Sequence, residues 1–551
     1  MFVVNRSTEA HFRVLSLTER VADRTAVVGL VIATIVALLT FRDYGLGWDD
    51  RTHAEYGDLL VAYFGSDFTD RRAMSFVNLY MYGGGFDMLA ALAAKVSPFE
   101  LFETRRLLGA IIGLIGFFAT WRLGRRLGGP VAGAISMFLL ALCPLYYGHM
   151  FMNPKDGPFA AAMAILILAL VHAFHEYPRP RSSTMALTGI GLGLVVGTRI
   201  IGGIAGFYTI GAMIALLVIE SRALGTRTAS ARLGHFTLAL VPALLLAYPI
   251  MAVVWPWSVL SPLNPLRAAE YFSRFFEVPW RELFDGVALL VPNMPRSYVP
   301  TLFALKLPEI LLLLGAAGTA AALLAVFRHE LAAPDRAALM LVAIAATLPI
   351  AITVVMRPAM YNGIRHFVFV TPPLAALGGL AGAWLLKWAH QVGRSVLLAT
   401  MAAIVALAML PAVDMIRLHP YQYTHFNHLF GGMRAAEEHY MIDYWGLAFK
   451  QAAQRLRLKL AQHVGTRPVG RRWRVFVCGP QHTAQIELGP DFVTSGDIKG
   501  ADFVLNLGEF YCHDLNAPVF VEIARENLVY ARIYDMRSRS VSGQFQDRPL
   551  Q

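Results

Sequence analysis

The sequence predicts a mainly α-helical, polytopic membrane protein with about eleven transmembrane helices and a C-terminal extracytoplasmic α/β domain. Three observations predict it. Of 551 residues, 56% are hydrophobic and only 15% charged, against about 25% charged in a soluble domain, and the mean hydropathy is +0.51. The apolar residues come in runs close to the ~20 residues that cross a bilayer as a helix. The basic residues cluster in alternate segments between those runs, the asymmetry that orients membrane helices.

The runs that can cross are 25–41, 107–121, 130–147, 157–175, 185–198, 200–219, 236–254, 308–327, 337–355, 367–387 and 396–413. The stretch 185–219 is too long for one crossing and carries Thr198-Arg199 at its middle, so it reads as two helices meeting at a turn. The N-terminus is polar and basic through Arg24, and no small-residue cleavage site follows the first run. That run therefore reads as a retained helix rather than a signal peptide.

With residues 1–24 placed in the cytoplasm, the arginine groups at 122–126, 179–181 and 222–232 all fall inside. The short outward loops then hold only Lys155, Arg199, Arg357 and Arg365. This distribution accounts for the net charge of +11 by membrane orientation and argues against nucleic acid as a partner. The transmembrane module is 25–413. Two long polar loops, 42–106 and 255–306, and a tail, 414–551, fall outside. In the tail, 433–463 has helical periodicity, and 473–478, 503–507 and 518–523 read as short buried strands. Cys143 lies within an apolar run. Cys478 and Cys512 lie in the tail and could pair in an oxidising compartment, although their spacing does not fix it.

Four segments carry candidate chemistry. The first outward loop holds Gly47-Trp48-Asp49-Asp50-Arg51-Thr52-His53. One carboxylate there could act as a general base while the other holds substrate or tunes its neighbour. The plainer reading is a solvated loop start with Trp48 as an interface anchor. The corner His149-Met150-Phe151-Met152-Asn153-Pro154-Lys155-Asp156-Gly157-Pro158 either caps a helix with Asp156 or presents an ammonium and a carboxylate to a ligand. In the third corner, 357–366, Arg365 either snorkels or grips a lipid phosphate by a bidentate pair. Arg199 has the same two readings. In the fourth segment His425 and His428 are three apart, but no further ligand completes a metal site, and an aromatic interfacial linker is preferred. Asp443-Tyr444-Trp445-Gly446 is a local cluster whose role the residues alone do not give.

Together these segments resemble the GT-C polyprenyl-phosphate-sugar glycosyltransferases, and among them the bacterial relatives of protein O-mannosyltransferases and lipid A aminoarabinose transferases. The resemblance spans most of residues 20–450. It rests on Asp49-Asp50 after Trp48, where that family has Asp-Glu or Asp-Asp. It rests also on Asn153-Pro154-Lys155-Asp156-Gly157-Pro158-Phe159, which departs at Asn153 from a corner that often begins with His. Tyr361-Asn362-Gly363-Ile364-Arg365-His366-Phe367 and Asp443-Tyr444-Trp445-Gly446 complete the set.

The resemblance implies transfer of a sugar from a polyprenyl-phosphate donor to an acceptor hydroxyl, with inversion. Asp49 or Asp50 would be the base. Lys155, Arg365 and Arg199 would neutralise the phosphate, and His53 and Asp156 would position donor or acceptor. Tyr361, Asn362 and His366 would complete the substrate site. The partners implied are the lipid-linked sugar, an acceptor glycan, lipid or protein, and the bilayer. The place implied is the bacterial inner membrane with the site facing out. No cofactor beyond the donor is implied, and the need for a metal is left open. A transporter or flippase of a lipid-linked glycan would use the same cations without a base. A scaffold presenting the tail would leave the acidic pair unexplained. No internal repeat is evident in the sequence, which weighs against an inverted-repeat transporter.

Overall fold

The computed structural model describes residues 6–273, 279–462, 468 and 470–537, with side chains from residue 19 onward. The chain divides into two compact units. One comprises Met1–Tyr44 and Thr52–Tyr440, the other Gly45–Arg51 and Met441–Gln551.

In the first unit nine helices among the described residues are long and apolar enough to cross a membrane. They are Glu19–Asp43, Leu101–Ala141, Asp156–His175, Ile200–Leu224, Thr226–Val254, Glu309–Phe327, Ala333–Met356, Arg365–Val392 and Arg394–Leu418. The other two expected crossings are present in altered form. Leu101–Ala141 has 41 residues, and its helical path breaks at Gly128 and Gly129, the latter at φ +82°. A straight helix of that length would span about twice the bilayer core, so the break divides it where the sequence separates 107–121 from 130–147. Ser182–Thr198 is a short apolar helix of 17 residues. It ends at the predicted turn, where Arg199 is extended and a 3-10 turn, Ile200–Gly203, follows.

Small residues let these helices approach closely. A Cβ on Gly189 or Gly193 would meet Leu246 or Ile250, and one on Gly109 or Gly113 would meet Met150. Outward faces stay apolar: Leu39, Leu245 and Met409 are exposed, as lipid contact requires. The loop 255–306 contains a two-stranded hairpin, β1 (Arg281–Phe284) and β2 (Val287–Leu290). Asp285 and Gly286 join them, both at positive φ, the two-residue I′ turn that matches strand twist.

The second unit holds a five-stranded sheet of β3 (Trp473–Cys478), β4 (Phe492–Ser495), β5 (Phe503–Leu507), β6 (Val519–Arg525) and β7 (Leu528–Asp535), in the order β4-β3-β5-β7-β6. β3 runs parallel to β4 and β5, whereas β7 is antiparallel to β5 and β6. β5 is buried along its whole length, as a continuous apolar run in mid-sheet should be. The helices Phe449–Gln462 and Gln481–Leu488 pack against this sheet. Cys478 and Cys512 form a disulfide, and Cys143 is a buried free thiol.

The expected helix over 433–463 is interrupted. It is replaced by Gly432–Ala436 and Phe449–Gln462, and His463 lies outside the described residues. Asp443 accounts for the break. Its carboxylate accepts the N–H groups of Gly446, Leu447 and Ala448 at 3.0, 3.1 and 3.0 Å, and Gly446 sits at φ +84°. Such local bonds compete with the helical ladder.

Candidate functional site

The acidic pair lies in the segment 45–51 that belongs to the second unit, Asp49 in a turn and Asp50 at the start of a helix. Asp50 is buried and begins the helix Asp50–Gly65. Its Oδ2 accepts the Gly47 N–H at 2.8 Å and its own N–H donates to the Gly47 carbonyl. Asp49 is half-buried. One carboxylate thus closes the turn, and its neighbour keeps a solvent-reachable face.

The helix that Asp50 begins carries His53, which belongs to the first unit. His53 Nδ1 lies 2.6 Å from Asp87 Oδ2, and Arg105 Nη2 donates to Asp87 Oδ1 at 2.5 Å. All three side chains are buried. Burial alone would raise the Asp87 carboxyl, but the facing His53 and Arg105 outweigh it and hold the group below the usual carboxylate range. His53 Nε2 is buried and has no hydrogen-bond partner among the described residues.

The 149–158 corner is built by Asn153. Its side-chain oxygen accepts the N–H groups of Lys155 and Asp156 at 3.1 and 2.8 Å. Its amide donates to Asp156 Oδ2 at 2.7 Å. The expectation that Asp156 caps the following helix is therefore corrected: Asn153 takes that place, and Asp156 is left to pair with Arg199. Lys155 Nζ stands 4.7 Å from the centre of the Tyr82 ring and Arg199 5.7 Å from the same ring, so two cations share one aromatic face.

The 357–366 corner meets this group. Arg365 is buried, 4.9 Å from the Tyr361 ring, and Tyr361 packs on His366 at 4.9 Å. Arg199 lies in the field of Arg365, and His366 lies in the combined field of Arg365, Arg199 and Lys155. Burial first, then the Arg365 and Lys306 charges, push His149 well below the usual imidazole range, so this ring is neutral. Lys155, Asp156, Arg199, Tyr361, Arg365 and His366 thus gather within the first unit. Asn362 contributes its backbone there: its N–H donates to Glu282 Oε2 at 2.7 Å, with Asn362 at positive φ.

Glu282 is the residue the sequence reading missed. It sits buried on β1 and also accepts the Gly363 N–H at 3.3 Å and the Tyr298 hydroxyl at 2.5 Å. Burial raises its carboxyl above the usual range against those three bonds and Arg365. Glu282 therefore ties the hairpin to the turn that presents Arg365. Glu282→Gln keeps an acceptor for the two amides and should shift stability by less than about 1 kcal/mol. Glu282→Ala removes the acceptor of the Asn362 N–H and of the Tyr298 hydroxyl, while the Gly363 N–H keeps the Tyr298 oxygen at 3.0 Å, and should cost about 1–3 kcal/mol, read as thermal unfolding in detergent.

Among the described residues no three His, Cys, Asp or Glu side chains gather as a metal site. His425 and His428 instead share Asp414 Oδ2 at 3.1 and 2.8 Å.

With this geometry in place, comparison with known proteins is informative. Residues 85–254 match the sequence model of the family described as dolichyl-phosphate-mannose-protein mannosyltransferase. The matched segment contains Asp87, Arg105, Lys155, Asp156 and Arg199. The oligosaccharyltransferase of Archaeoglobus fulgidus, solved with a tethered acceptor peptide containing the NVT sequon, superposes with a TM-score of 0.50 at 14% identity, over 85% of this chain and 63% of that one. The chain thus has a fold similar to that of this oligosaccharyltransferase and, over residues 85–254, is similar to the mannosyltransferase family. The chain spans 63% of the length of that oligosaccharyltransferase. ArnT of Cupriavidus metallidurans in its apo state aligns with it over 92% of this chain and 97% of that one, at 16% identity and a TM-score of 0.47. ArnT bound to undecaprenyl phosphate aligns with a TM-score of 0.45, at 16% identity over the same shares of the two chains. A search of the curated proteins returns no match to this chain.

Proposed function

We propose that this chain is a GT-C glycosyltransferase that moves a sugar from a polyprenyl-phosphate donor to an acceptor hydroxyl on the extracytoplasmic face of a bacterial inner membrane, inverting the anomeric centre. The observation that carries this reading is the gathering of Lys155, Arg199 and Arg365 around Tyr82 and Tyr361, with His366 packed on Tyr361. A cluster of that charge on outward corners of membrane helices suits a lipid phosphate whose tail stays in the bilayer. Asp49 is the proposed base: Asp50 already spends an oxygen on the Gly47 N–H, whereas Asp49 is the more accessible of the two.

In the proposed step the acceptor oxygen attacks the anomeric carbon and the carbon–oxygen bond to phosphate breaks. The hydroxyl proton passes to the Asp49 carboxylate, and polyprenyl phosphate leaves with the electron pair. Lys155, Arg199 and Arg365 neutralise the charge that grows on it. Attack opposite the leaving group by a single displacement inverts the centre, as in inverting hydrolases. His53, Asp156, Tyr361, Asn362 and His366 position donor and acceptor. The outward placement of the tail, 414–551, is supported by the alternation of basic segments and by the Cys478–Cys512 disulfide, a bond of oxidising compartments.

The test is purified protein in nanodiscs offered a panel of polyprenyl-phosphate sugars, with release of polyprenyl phosphate followed. Release with one donor, together with a glycosylated product whose anomeric configuration is inverted relative to the donor, is the expected result. Movement of a lipid-linked glycan across vesicles without any release would sink the transferase reading. Arg365→Ala should weaken polyprenyl-phosphate binding about 10- to 100-fold, the loss of a charged hydrogen-bonding partner. Unchanged affinity would remove Arg365 from the phosphate site.

A further inference from the structure

The second unit is not only the C-terminal sheet domain: it also includes residues 45–51, some 390 positions away from the tail in sequence. The contacts that place them there are specific. The Leu46 N–H donates to Glu487 Oε1 at 3.0 Å. Gly45 lies so close to the Leu447 carbonyl that a Cβ would fall 2.3 Å from its oxygen. Gly47 lies flat against the Trp445 indole, where a Cβ would fall 1.8 Å from Cδ1. Only glycine permits both approaches. Leu46 and Trp445 are buried. Asp443 in turn fixes the Trp445-bearing turn through its three amide bonds, and Gly446 packs on Pro480.

We infer that the C-terminal domain is a positioning element of the active site: Trp445, Leu447 and Glu487 grip the backbone of 45–47 and thereby set where Asp49 and Asp50 stand. This rests on the reading of that pair as the catalytic carboxylates. It gives the Asp443-Tyr444-Trp445-Gly446 cluster a role: Asp443 shapes the turn, Trp445 is the platform, and Gly446 supplies the positive φ the turn needs. Since Gly47 donates to Asp50 Oδ2, a displaced Gly47 displaces a carboxylate directly. Positioning to well within an ångström is what a general base requires, so the grip should act on turnover and leave donor affinity alone.

The experiment uses the full chain in nanodiscs and polyprenyl phosphate release at varied donor concentration. Gly47→Ala forces the indole aside and should lower kcat about tenfold or more with KM for the donor unchanged. Gly47→Ala combined with Trp445→Leu makes room for the methyl group and should recover several-fold of that loss. Glu487→Ala, at a half-buried position, serves if Gly47→Ala does not fold, and should also lower kcat without changing KM. Wild-type kcat in Gly47→Ala and Glu487→Ala overturns the inference, as does a fall in kcat matched by a rise in KM with no rescue by the second substitution. Asp49→Asn and Asp50→Asn, run alongside, separate the two ideas. If one of them is inactive while Gly47→Ala is normal, only the positioning role fails. If both keep full turnover, the base assignment fails and the positioning role falls with it.

Discussion

Asp49→Asn is expected to lower turnover by about 10²–10⁴-fold, the usual contribution of a positioned general base, with donor affinity within about twofold of the parent. The substitution conserves shape, keeps one acceptor oxygen, and removes the charge and with it the ability to take a proton. Polyprenyl phosphate is a good leaving group, so loss of the base should fall wholly on the attacking hydroxyl. Asp50→Asn is expected to behave differently. Asp50 Oδ2 accepts the Gly47 N–H, and an amide can still accept through its oxygen, so the turn can survive with a loss of about tenfold or less. Initial rates of polyprenyl phosphate release, compared with affinity for unreactive donor, distinguish the cases. Equal release by parent and Asp49→Asn would remove the proposed base, and a large loss confined to Asp50→Asn would move the role to Asp50.

How much of this could be read from the sequence depends on whether a feature is local. Apolar runs and basic loops are local, and the Thr198-Arg199 turn stands where its polar pair interrupts the apolar stretch. β3 and β5 match their predicted bounds to the residue, because a buried strand writes a continuous apolar run. β4 and β7 were missed: Phe492–Ser495 is short and half polar, and Leu528–Asp535 carries Arg532 in mid-strand, where it pairs with Asp514 and Glu522. The cations were legible as charges costly at a membrane surface. Their partners were not, since Tyr82, Asp87 and Glu282 lie within the long connections 42–106 and 255–306, Asp87 on a short helix, Gly85–Ala94, and Glu282 on β1. One signal was available for Glu282. Phe284-Asp285-Gly286-Val287 is an Asp-Gly dipeptide between apolar residues, the strongest short hairpin signature, and a hairpin puts alternate residues, Glu282 among them, on one face. The attachment of 45–47 to Trp445 had no local trace beyond the glycines themselves, which sequence alone cannot distinguish from ordinary loop glycines.

Asp87→Ala is expected to destabilise the protein by about 3–5 kcal/mol at neutral pH, the cost of leaving one member of a buried ion pair uncompensated. Arg105 is 1% exposed, and its Nε and Nη1 already lack partners among the described residues. Removal of Asp87 therefore strands a whole guanidinium in a dry site. Arg105→Met alongside Asp87→Ala removes the stranded charge and should recover most of the loss, since a well-packed apolar replacement of a buried pair is often neutral or better. The pH dependence has a fixed sign. The folded-state pKa of Asp87 is lowered, so its contribution is present above the unfolded carboxylate value of about 3.9. It is lost as pH falls through the lower, folded-state value. Thermal midpoints in detergent should thus separate parent from Asp87→Ala at pH 7 and converge as the medium is taken below about pH 4. A gap that is absent at pH 7, or that widens in acid, would show that His53 and Arg105 do not hold an ionised Asp87. Function supplies a further check. His53 Nδ1 is fixed by Asp87 at 2.6 Å, so Asp87→Asn, which can keep a neutral hydrogen bond, should retain more turnover than Asp87→Ala at equal folded fraction if the orientation of His53 matters to the site.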